Sequence, residues 1–124
     1  MDKQEHSART GNPVASFRFA FAGIWTLLRT QRNAQIHFVA TLFVISAAAF
    51  YRVTKIEWCL LIFAMSIVWL AEALNTAVEF LADAVHPEIH PLIKNTKDVA
   101  AGGVLIAAIG AVVIGILVFW SYLL

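Results

Sequence analysis

Glu72, Asn75, Glu79 and Asp83 are the residues of this chain whose types and spacing can do chemistry. They interrupt an apolar stretch, E-A-L-N-T-A-V-E-F-L-A-D. Gaps of 3, 4 and 4 residues, at about 100° per residue, put all four within roughly 80° of one helical face. Carboxylates in so apolar a setting are costly and usually mark function. Two or three of them one turn apart can share a magnesium ion, which prefers oxygen ligands and keeps waters or takes phosphate oxygens. A carboxylate at a membrane surface can also take a proton from a lipid hydroxyl. Lys97, 14 residues beyond Asp83, can meet an anionic phosphate as a point charge. Acids, an amide and a lysine together suit phosphoryl transfer, where positioning and charge neutralisation supply most of the catalysis. The structural alternative is a polar seam between helices of an oligomer.

The composition says what must carry this face. The 124 residues make one domain at most; 60% are hydrophobic, 14% are charged, and the mean hydropathy is +0.77. A water-soluble domain carries more charge, so the chain reads as an all-α integral membrane protein. A net charge of +1 gives no reason to expect nucleic-acid binding. There is no G-x-x-x-x-G-K-[ST] loop and no G-x-G-x-x-G, and length and composition exclude a soluble nucleotide-binding fold. The single cysteine, Cys59, lies in an apolar run and reads as a small packed hydrophobe. No internal repeat and no low-complexity tract stand out.

Residues 1–13 are polar, lack the apolar core of a signal peptide, and are expected to be a disordered tail before a single domain over 14–124. Residues 14–32 are amphipathic. Phe17, Ala20, Phe21, Ile24, Leu27 and Leu28 form one stripe, and Arg18, Trp25, Arg29 and Arg32 the opposite one. Such a helix is expected to lie in the membrane interface, its arginines on anionic lipid. Gln31 falls on the apolar side, so its amide is expected to point into the bundle. Spans are expected at about 36–51, 58–85 and 98–122. The first is short for a hydrocarbon core of about 30 Å, and continuation of the surface helix would supply the missing length. The segment H-P-E-I-H-P-L-I-K-N-T reads as a loop. Gly103, Ala107, Ala111 and Gly115 form a small-residue stripe that allows close approach of another helix. His37 is assigned to the headgroup level, and His86 and His90, separated by Pro87, do not read as a helical metal pair.

Three spans put the N-terminus and the second loop on one side, with Lys3, Arg9, Arg18, Arg29, Arg32, Lys94 and Lys97; only Arg52 and Lys55 lie on the other. The positive-inside rule makes the first side cytoplasmic. The acidic end of the second span is then within reach of soluble nucleotides and of inner-leaflet headgroups.

The wall of acids, followed by K-D-V-A-A-G-G-V-L, resembles the prokaryotic diacylglycerol kinase family, small membrane lipid kinases that include the undecaprenol kinases. The resemblance runs from about Ser16 to Phe119. S-F-R-F-A-F-A-G-I-W, R-N-A-Q-I-H and H-P-L-I-K fit the undecaprenol kinase branch. It implies a surface helix, three transmembrane helices and a homotrimer with active sites shared between protomers. It implies that MgATP phosphorylates a lipid alcohol at the cytoplasmic face of the bacterial inner membrane, undecaprenol by preference and diacylglycerol as the alternative. By position, Glu72 would be the catalytic base, and Asn75 would orient the base and the phosphates. Glu79 would bind metal. Asp83, Lys97 and Asp98 would bind the nucleotide's phosphate side, and Phe19 would lie near adenine. The family usually carries Glu within T-E-x-N as a second metal ligand. This chain reads T-Q-R-N, with Gln31 there, which keeps a carbonyl oxygen and loses the charge. Two rival readings follow from the same residues. One is a non-enzymatic oligomer conducting protons or ions through the acidic seam; the other is a degenerate kinase slowed by Gln31.

Overall fold

The computed structural model describes residues 3, 4 and 11–124. Arg9 and most of the tail expected over 1–13 lie outside the described residues. Among the described residues there are four long helices and no strand: α1 Pro13–Thr30, α2 Arg32–Tyr51, α3 Lys55–Val85 and α4 Pro91–Leu123. The last three are long and apolar enough to cross a membrane.

Each helix starts on a local signal. Asn12 caps α1 by accepting from the Val14 N–H at 3.0 Å, with Pro13 in the first turn. Thr54 and Glu57 form a reciprocal capping box on α3. His90 accepts from the Leu92 N–H at 3.1 Å ahead of Pro91, so α4 begins there rather than near residue 98. The expected loop therefore shrinks to 86–90. Pro91 opens a helix instead of breaking one, because its missing N–H is needless in the first turn. Arg52 adopts a left-handed conformation (φ 53°, ψ 52°) that ends α2 and turns the chain into α3.

The surface helix does not run on into the first span. Gln31 is extended (φ −108°, ψ 117°) and separates α1 from α2. The break is held together across its two sides: the Gln31 N–H bonds the Leu27 carbonyl at 3.0 Å, and the Gln35 side chain donates to the Leu28 carbonyl at 3.1 Å. These bonds satisfy carbonyls that a helix end leaves open. The missing length of the first span comes instead from α2 starting at Arg32. Its 20 residues make about 30 Å at 1.5 Å per residue.

α4 packs along α3 far more extensively than α2 does. The apolar core, around Ala48, Val53, Leu61 and Val118, sits near the turn between α2 and α3. There the Tyr122 hydroxyl donates to Glu57 Oε2 at 2.7 Å, tying the end of α4 to the start of α3. α3 and α4, with 31 and 33 residues, run about 46–50 Å, well beyond a hydrocarbon core of about 30 Å. With one pair of ends tied at Glu57, the excess emerges at the opposite end, which carries Glu79, Asp83, Lys94 and Lys97. The glycines of the small-residue stripe on α4 are open among the described residues. A Cβ added at Gly103 or Gly115 would touch nothing within 4 Å, and Ala111 and Gly115 line an open groove between α2 and α4.

Candidate active site

The polar wall of α3 is graded by burial. Glu72, Asn75 and Thr76 are only 1%, 7% and 4% exposed. Glu79 is half-buried and Asp83 exposed. At the buried end, Glu72 Oε2, Asn75 Oδ1 and Thr76 Oγ1 make no hydrogen bond among the described residues. Three such atoms on adjoining positions of one helix are unusual, because buried polar atoms almost always find partners. The wall is long: Glu72 and Glu79 are two turns apart, about 10 Å along the axis. They cannot close on one ion, whereas Asn75, Glu79 and Asp83 follow one another at single-turn intervals.

At the exposed end, α3 and α4 meet through charge. Lys97 Nζ lies 2.6 Å from Asp83 Oδ1, and Lys94 Nζ lies 2.5 Å from Asp98 Oδ2. Lys97 is thus joined to the wall through Asp83, whereas Asp98 pairs within α4 with Lys94, so each already has a partner of opposite charge. Lys94 completes the set and was not singled out by sequence, where it fell in the expected loop. A basin of about 230 Å³ between residues 86–90 and the first turns of α4 has Lys94, Lys97 and Asp98 on its lining. His86 and His90 line it too, their ring centroids 5.4 Å apart. His90 Nδ1 is occupied by the cap of α4.

His37, expected at the headgroup level, packs against α3. Its Nε2 lies 3.7 Å from Glu72 Oε2, with the His37 side chain 19% exposed. The shift follows from α2 beginning at Arg32, which carries His37 into the second turn of the span and against α3. Around it, the Thr41 hydroxyl donates to the His37 carbonyl at 2.7 Å and accepts from Trp69 Nε1 at 3.0 Å. Sequence periodicity applied to one helix at a time could not find this cross-helix group.

Phe19 and Gln31 come from α1 and its end. Phe19 is half-buried, with the Arg18 guanidinium 5.7 Å from its ring centre. Gln31 is half-buried and donates from Nε2 to Thr30 Oγ1 at 3.2 Å. The helical projection that aimed its side chain inward does not hold for a residue outside the helix. A cleft of about 450 Å³ between α1 and α3 is lined by Gly23, Thr26 and Leu27 on one side and Ala73, Thr76 and Phe80 on the other. A larger groove of about 610 Å³ runs between α2 and α4 from His37 and Thr41 to Tyr51 and Leu123. It is apolar along its length and polar at the His37 end. Among the described residues no three His, Cys, Asp or Glu side chains are grouped to hold a metal.

Three helices long and apolar enough to cross a membrane, one of them with a polar wall graded from a sealed Glu72 to an exposed Asp83, define a membrane protein with a polar site toward one end of its bundle. Comparison supplies the family. The chain belongs to the prokaryotic diacylglycerol kinase family, whose pattern matches residues 18–119, and it is a lipid kinase. It is 35% identical over 119 residues to the undecaprenol kinase of Bacillus subtilis, covering 96% of this chain and 97% of that protein. It is 42% identical over 105 residues to a diacylglycerol kinase of Synechocystis, covering 84% of this chain and 60% of that protein. The diacylglycerol kinase of Escherichia coli is 36% identical over 84 residues, 68% of this chain and 69% of that one.

Proposed function

We propose that the protein transfers the γ-phosphoryl group of ATP to the hydroxyl of undecaprenol at the cytoplasmic face of a bacterial inner membrane, working as a homotrimer. The observation that carries this reading is Glu72: a carboxylate 1% exposed, one oxygen unpartnered, facing the His37 that lines the polar end of an apolar groove. A hydroxyl whose chain lies in that groove meets a carboxylate where water is scarce. Glu72 takes its proton as the alcohol oxygen bonds to the γ-phosphorus, the bridging β–γ P–O bond breaks, and ADP leaves with that electron pair. Asn75, one turn on, orients the base and the phosphates. Lys97 holds the phosphates with Asp98 assisting there, Asp83 binds on the nucleotide side, and Phe19 contacts adenine.

The donor set fits magnesium brought in on phosphate better than a metal held by protein alone. Asn75 Oδ1 is an unused oxygen, Glu79 lies one turn beyond it, and Gln31 can add a carbonyl oxygen. Among the described residues no three acidic or histidine ligands converge, which suits an ion that usually takes one or two carboxylates plus substrate phosphates. Bound there, it would neutralise charge on the transferring group.

Undecaprenol is preferred over diacylglycerol for two reasons. The Bacillus subtilis undecaprenol kinase is matched over 97% of its length, and R-N-A-Q-I-H and H-P-L-I-K fit that branch. Ion conduction finds less support, because the buried positions of α3 before Glu72 are Leu61, Ala64 and Val68, with no polar path through them. The deciding assay offers undecaprenol and diacylglycerol in parallel to the protein in micelles with labelled ATP and Mg²⁺. Label should enter undecaprenol, and Glu72→Gln should lower kcat by about 10²–10⁴. Label in diacylglycerol alone would change the substrate; label in neither would remove the kinase chemistry proposed for this face.

A further inference from the structure

We propose that His37 is the positioning residue of the catalytic base, donating from Nε2 to Glu72 Oε2 when the lipid hydroxyl is bound; this rests on Glu72 being that base. A base works only if its carboxylate is held with one oxygen toward the substrate. Nothing among the described residues hydrogen-bonds Glu72 Oε2, although the residue is 1% exposed and an unmatched buried carboxylate oxygen is costly. The group that faces it is His37 Nε2, at 3.7 Å. That distance is slightly beyond a hydrogen bond and too short for an intervening water. Catalytic hydrogen bonds are often long in the unliganded enzyme and tighten in the complex.

The surroundings of His37 are built to hold it. Its ring stands edge-on to Trp69 with centroids 6.4 Å apart and planes at 69°. Trp69 is itself fixed by Thr41, which also bonds the His37 carbonyl. The Trp69 side chain comes from α3, three residues before Glu72, so ring and base are referenced to the same helix. His37 also lines the apolar groove, and a hydroxyl arriving along that groove meets the histidine that faces the base. With Oε2 held by His37, the other carboxylate oxygen is left to take the hydroxyl proton.

The test is a steady-state comparison of His37→Ala, His37→Gln and Glu72→Gln, with the double variant His37→Ala/Glu72→Gln, in micelles with undecaprenol and MgATP. His37→Ala should lower kcat by about 10- to 100-fold, the usual effect of a misplaced catalytic group, with KM for ATP unchanged. His37→Gln, whose amide can donate from a similar position, should recover most of kcat. The alanine change should add nothing in the Glu72→Gln background. Full kcat in His37→Ala, or equal losses in alanine and glutamine variants with a raised KM for ATP, would overturn the proposal. Should the alanine variant not fold, His37→Gln decides alone: kcat within about threefold of wild type supports a donor at this place, and a loss beyond about tenfold overturns it. Full activity in Glu72→Gln overturns the base and this proposal with it; a silent Glu72→Gln beside a fully active His37→Ala overturns this proposal alone.

Discussion

Residue by residue, the site is sorted by water. Glu72 is sealed, whereas the side chains of Asp83 and Lys97 are 62% and 35% exposed. A group that deprotonates an alcohol gains from a dry setting, and groups that receive a soluble polyphosphate must stand where it can arrive. Gln31 is the unusual member of the set. It carries a carbonyl oxygen at the hinge between α1 and α2 but no charge, so Gln31→Glu should raise apparent Mg²⁺ affinity about tenfold, the effect of roughly 1.4 kcal/mol from one restored charged contact. Titrating kcat against Mg²⁺ at saturating ATP reads this directly, and an unchanged Mg²⁺ dependence would take Gln31 out of the metal site. The wall from Glu72 to Asp83 was legible because four residues on one helix obey one periodicity. His37 and Lys94 were not, since each earns its place through a contact between helices or a helix start that periodicity does not contain.

At the scale of elements, hydropathy marks where lipid is and capping marks where helices begin, and the two differ by up to a few turns. Hydropathy starts α3 near Trp58 and α4 near residue 98, but the helices begin at Lys55 and Pro91. The polar turns so added to α4 are the ones that carry Lys94 and Lys97. The T-K-I-E box before α3 was readable as a cap; the Gln31 break was not, because nothing in T-Q-R-N forbids a continuous helix. Caps at the far end of α3 should matter for stability and not for chemistry. Thr54 accepts from the Glu57 N–H at 3.2 Å, so Thr54→Ala should lower stability by about 1 kcal/mol. Unfolding in mixed micelles would show that loss, with kcat unchanged, since Glu72 lies some five turns away along α3. A matched loss of kcat would mean that the two ends of the bundle are coupled through α3.

The whole molecule is a thin bundle whose large apolar side chains are mostly exposed, among them Phe43, Phe50, Phe63, Leu105 and Ile106 at 61–80%. In water that surface would aggregate; in a bilayer it meets acyl chains and, in the proposed trimer, neighbouring protomers. Function on this plan depends on which way the bundle sits. The end bearing Glu79, Asp83 and the 86–90 turn must face the compartment that holds ATP, and the Arg52–Thr54 turn must face away. Lys94 and Lys97 at the first end, with Arg18 and Arg29 on α1 and Arg32 at the start of α2, outnumber Arg52 and Lys55 at the second, which supports that orientation. Single-cysteine variants in a Cys59→Ala background test it in bacterial spheroplasts with a membrane-impermeant maleimide. Thr54→Cys should label in intact cells, and Glu88→Cys only after lysis. The reverse pattern would put the acidic wall on the side without nucleotide and leave the lipid kinase no route to its phosphate donor.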